Sequence, residues 1–120
     1  MENSSKNQQL IKVFDLNDIY VHPLEERDKN VVFQSETFKV RLIKLEAGGE
    51  IPPCNMAMNV LFCILQGEGV IVVNEVPNQV KPHSLVITPP ATISMKSEKG
   101  MRVLGIQIMA GQPFVAKYNT

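Results

Sequence analysis

The sequence predicts an all-β fold, a sandwich or a closed barrel, and three observations lead there. Apolar runs are short and rich in Val, Ile and Phe, with turn residues between them. Eight prolines and seven glycines punctuate the chain, at intervals of roughly ten residues, the spacing of a small β-sandwich or barrel. The segment Phe38-Lys39-Val40-Arg41-Leu42 alternates apolar and charged side chains, the period-two pattern of a half-exposed strand.

Taken in order, residues 1–9 are polar and form a loosely attached arm, and residues 10–120 form one domain. Ile11–Phe14 and Ile19–Val21 are short strand candidates, and Asp15–Tyr20 is helix-like but too short to matter. Glu25–Asn30 is a charged, solvated loop. Val31–Gln34 and Thr37–Leu45 are the next strands; the turn Ala47-Gly48-Gly49 leads into Met58–Leu65. Gly67-Glu68-Gly69 turns the chain into Val70–Val73, and Ser84–Ile87, Ala91–Lys96 and Met101–Met109 complete the set. Pro52-Pro53 and Pro89-Pro90 read as strand-edge or turn rigidifiers, because proline removes a ladder donor. There is no internal repeat or low-complexity tract.

At 120 residues and 44% apolar composition, the chain supplies one core without disulfide staples. Twelve Lys and Arg balance twelve Asp and Glu. No global field draws in phosphate backbones or anionic lipid, so nucleic acid and membrane are disfavoured partners. No apolar run approaches the roughly 20 residues of a membrane helix, and Met1–Gln9 lacks a signal-peptide core. Cys54 and Cys63 fall on opposite faces of extended chain, so the expectation is a cytoplasmic protein with free thiols.

Between residues 48 and 98 the punctuation resembles the cupin superfamily. The first cupin motif runs from glycine through His-x-His and glutamate to a second glycine. Gly48 and Gly67 stand at its two ends, with Leu65-Gln66-Gly67-Glu68-Gly69-Val70 closing it. Of the second motif only Pro89 remains, between the apolar strands Leu85-Val86-Ile87 and Ile93-Ser94-Met95, while His83 and Ala91 stand where its glycines belong. The resemblance implies a single cupin-type jelly-roll barrel.

It also implies a metal site whose ligands are gone. Cys54 and Met56 replace the two histidines, Val60 the glutamate and Ser94 the final histidine. Iron, manganese, nickel and zinc cupin sites need imidazole and carboxylate donors, and residues 51–67 contain neither. The chain therefore reads as a metal-free cupin without cofactor, leaning away from catalysis. Its expected work is to bind or sense a small, largely apolar molecule.

Parity places Cys54, Met56, Met58, Val60, Phe62 and Ile64 on one face, which the resemblance makes the lumen. Thr92, Ser94 and Lys96 share the parity of the Ser94 ligand position and complete the candidate lining. Arg41, Gln107 or Tyr20 could orient a ligand. Against a pocket stands a lumen filled by its own side chains, serving as a protein-interaction subunit.

Two further readings centre on Cys54. With Met56 and Met58 it makes a soft-donor cluster suited to copper(I), although Met and Cys are also ordinary core fillers. Alternatively the Cys54 thiol is a nucleophile, which needs an electropositive neighbour that Pro52, Pro53, Asn55 and Met56 do not provide. Finally, Leu61, Cys63 and Leu65 make the other face of Met58–Leu65 apolar too. A strand apolar on both faces is covered twice, and a homodimer is the expected second cover.

Overall fold

The computed structural model describes residues 11–109; the predicted arm, residues 1–9, lies outside them. Nine strands run β1 (Val31–Gln34), β2 (Phe38–Leu45), β3 (Gly49–Met56), β4 (Asn59–Gly67), β5 (Gly69–Val73), β6 (Val76–Val80), β7 (Leu85–Thr88), β8 (Ala91–Ser97) and β9 (Met101–Ile108). They form two antiparallel sheets, ordered β1-β2-β9-β4-β7 and β3-β8-β5-β6. This is an all-β sandwich of two antiparallel sheets.

The chain passes repeatedly between the sheets, and the tightest passage joins β4 to β5. Gly67 sits there at φ +78°, and a Cβ on it would collide with the Gly100 carbonyl oxygen. A Cβ on Gly69 would collide with the Lys96 carbonyl oxygen. Only glycine fits both places. Beside this passage the buried Ser97 hydroxyl donates to the Glu68 carbonyl (2.6 Å) and accepts from Gly100 N–H (2.9 Å).

The inner faces follow from register. In the larger sheet Ile43 pairs with Val103, which also pairs with Ile64; Arg41 pairs with Gly105, which pairs with Phe62. In the smaller sheet Ile51, Met95 and Ile71 form one rung, and Cys54, Ile93 and Val73 the next. Leu45, Val60, Phe62, Ile64, Ile71, Val80, Ile93, Met95, Met101 and Val103 make one continuous core between the sheets.

Four sequence expectations change. Ile11–Phe14 and Ile19–Val21 are not strands. That segment lies over the outer face of the larger sheet, where Arg102 Nη2 donates to the carbonyls of Leu16 (2.5 Å) and Ile19 (2.7 Å). The charged loop is instead a 3-10 helix, Leu24–Asn30, kinked at Glu26. Strand β3 was hidden by Pro52-Pro53; as an edge strand it tolerates them, and its register with β8 shifts between Ile51 and Cys54. Strand β6, mostly exposed, is held by the two-residue turn Asn74-Glu75, both at positive φ (49° and 72°), a type I′ hairpin.

Candidate functional site

Between the sheets, the core gives way to a cavity of about 300 Å³. Its floor is Phe62 from β4 with Ile93 and Met95 from β8. Ile43 and Leu45 from β2 and Ile51, Cys54 and Met56 from β3 form its walls. His22, Leu24, Arg27 and Asn30 complete the wall from the segment that precedes β1.

That segment is closed on itself by one side chain. The buried Asn30 amide accepts from His22 N–H at 2.7 Å and donates to the His22 carbonyl at 3.1 Å. Both bonds close the same turn, so residues 22 to 30 stand over β2 as a tied loop. The Tyr20 ring meets His22 edge-on, with centroids 4.8 Å apart.

Arg41 is the polar group most nearly inside. Its side chain is 20% exposed, and its Nε is buried without a hydrogen-bond partner. Its nearest carboxylate, Asp28, is 4.0 Å from Nη2 and is itself 99% exposed. A pair that long and that well solvated adds little.

The structure distributes the sequence candidates as follows. Cys54, Met56 and Phe62 line the cavity. Val60 and Ile64 are buried in the core beneath it, and Met58 packs against that core from the bend between β3 and β4. Cys54 and Met56 thus belong to one sheet and Val60, Phe62 and Ile64 to the other, so parity grouped residues that lie across the interior from one another.

Thr92, Ser94 and Lys96 do not line the cavity. Ile93, Met95 and Ser97 take the inward positions of β8 and are buried, and the Thr92 hydroxyl hydrogen-bonds the Asn55 amide oxygen on the outer face. The reason is visible in the strand itself: Ala91, Ile93 and Met95 are its apolar alternates, and alignment of Ser94 with a ligand position set the wrong parity. Of the suggested orienting groups, Arg41 lines the cavity; Gln107 lies two residues beyond Gly105 with its Oε1 buried and unpartnered; Tyr20 is exposed. His22, Leu24, Arg27 and Asn30 went unrecognised, since a tied loop carries no periodic signal.

The donor set does not fit the metal that the fold family implies. Val60 is a buried aliphatic and Ser94 points away from the interior. Among the described residues no three of His, Cys, Asp and Glu converge as a metal group. Cys54 and Cys63 are free thiols, and Cys54 is exposed. Among the described residues no helix is long and apolar enough to cross a membrane.

By sequence, no protein-family model and no curated protein matches the chain. Solved structures do resemble it. A protein from Thermus thermophilus superposes with TM-score 0.72 at 22% identity, covering 82% of this chain and 97% of its own. The cupin domain of Schizosaccharomyces pombe Cnp3 gives 0.69 at 22% identity, covering 80% and 72%. A cupin superfamily protein from Desulfitobacterium hafniense gives 0.62 at 21% identity, covering 67% and 74%.

Proposed function

Starting from a cupin-type domain, we propose that this chain is a non-enzymatic binding or sensory module for a small, mostly apolar molecule. The cavity between the sheets supports this reading: it is about 300 Å³, walled by apolar side chains of both sheets. That is the scale and chemistry of a small-ligand site. A lumen acting only as a packed scaffold would have no use for this space.

Native mass spectrometry tests the reading, on protein purified without chelators or column metal and compared with its denatured mass. The expected result is a retained organic mass that is lost in Met56→Trp, where the indole fills the cavity. Retention unchanged by that substitution places the molecule elsewhere and removes the proposal. A copper-sized increment lost in Cys54→Ala replaces it with a soft-metal site on Cys54 and Met56.

The chain is further proposed to pair with a second copy through the outer face of β4 and β7. Leu85 (57% exposed) and Ile87 (51%) lie there beside half-buried Leu61 and Cys63. Isolated exposed apolar residues are ordinary, but a contiguous patch marks an interaction surface. Sedimentation equilibrium at micromolar concentration is expected to give the dimer mass, with Ile87→Lys giving the monomer; a monomeric wild type rules the pairing out.

A further inference from the structure

We infer that the molecule held in this cavity is an organic anion, a carboxylate on a compact apolar body, and that Arg41 is the residue that holds its head group. The inference rests on the binding reading above and adds the chemical class of the ligand.

Charge is the first argument. The chain is neutral overall, with twelve cationic and twelve acidic side chains. The cavity wall is not: it includes Arg27, Arg41 and Lys44 and no aspartate or glutamate. Lys44 is engaged by Glu46 at 3.5 Å at the rim, and Arg27 Nη1 donates to the Leu24 carbonyl at 3.1 Å. Of these cations, Arg41 alone reaches the interior with a buried donor left over.

Desolvation is the second. A guanidinium does not shed its proton, so its charge persists wherever it is placed. Burying it without a partner costs free energy that a neutral ligand does not return. The exposed Asp28 carboxylate, 4.0 Å away, is beyond hydrogen-bond distance. An incoming carboxylate offers two oxygens in the plane that the guanidinium fork matches. Register bears on the fit: Arg41 is paired with Gly105, which pairs in turn with Phe62, so the residue between them on that rung contributes no side chain.

The remaining wall sets the body. Phe62, Ile93, Met95 and Met56 are apolar, which suits a ring or short alkyl chain. A cavity of roughly 150 Å³ accommodates benzene, so about 300 Å³ holds a ring with a head group and little more.

The test is titration of the ¹⁵N-labelled protein, followed by amide shifts, with two matched pairs of probes: benzoate against benzamide and octanoate against octanamide. The expected result is that cavity residues shift with both members of each pair, the carboxylate binding about tenfold or more tightly, as charge-assisted hydrogen bonds do. In Arg41→Met that preference disappears while the amide affinity stays. In Arg41→Lys part of it returns.

Equal affinity for carboxylate and amide in the wild type overturns the anion assignment and leaves the binding module standing. No cavity shifts with any probe overturns both. A preference that survives in well-folded Arg41→Met overturns the role of Arg41. If Arg41→Met does not fold, the wild-type comparison together with Arg41→Lys decides the matter.

Discussion

At one end of the interior, Met101, Ile64 and Val103 from the larger sheet meet Ile71 and Val80 from the smaller, all within 6% of complete burial. At the other end strands β2 and β4 carry Arg41 and Phe62 around a cavity closed by the loop 22–30. The difference comes from what braces each end. The closed end is pinned by backbone, through Gly67, Gly69 and the two Ser97 hydrogen bonds. The open end is covered by a loop that a side chain closes on itself, through the two bonds of Asn30. Backbone contact leaves no room for a guest; a tied loop does.

The largest effect expected from breaking this contrast lies in the closed end. Ile64→Ala removes a fully buried side chain from a well-packed layer and should lower stability by about 3–4 kcal/mol, read as a lower urea midpoint at unchanged slope. A loss below about 1 kcal/mol would mean that this end is as loosely packed as the other.

Gly67→Ala should cost about 2–4 kcal/mol, since it combines a left-handed backbone with a Cβ driven against the Gly100 carbonyl. Asn30→Ala sharpens the comparison from the other side. It should cost about 1–2 kcal/mol for its two hydrogen bonds, and amide exchange should accelerate across residues 22 to 30 while the β4–β9 ladder keeps its protection. Uniform acceleration across both regions would show that the loop is not a separate unit. Smallest of all, Cys54→Ser at the exposed rim should change stability by no more than about 0.5 kcal/mol.

Most of the strands were legible because their apolar alternation survives in the chain: β1 falls where Val31–Gln34 predicted it, and β2, β4, β5, β7, β8 and β9 fall within a few residues of their predicted bounds. The failures share a cause. Strand β3 holds adjacent prolines and β6 holds Pro77 with mostly exposed side chains, so both exist through tertiary pairing that outweighs weak local preference. For the cavity, Cys54, Met56 and Phe62 were readable from parity together with the cupin resemblance, which made their face the lumen. Thr92, Ser94 and Lys96 were misplaced because a motif alignment overrode the plainer apolar pattern of Ala91, Ile93 and Met95. Arg41 was visible as a charge on a strand, but its burial depends on β1, β9 and the loop 22–30, which meet only in the folded chain.

The position of β9 bears on how the molecule is made. It lies at the centre of the larger sheet, pairing residue 38 with residue 108 on one side and residue 59 with residue 108 on the other. During synthesis, β2 beside β1 and β4 beside β7 each keep one open edge until β9 emerges, and no earlier described strand bridges the two pairs within that sheet. Ladders between such distant segments close slowly, and unpaired apolar strands invite intermolecular pairing in the interval. Truncation within residues 101–108 should thus promote aggregation, whereas the β5–β6 hairpin, joined by its own two-residue turn, is expected to form early and independently of that delay.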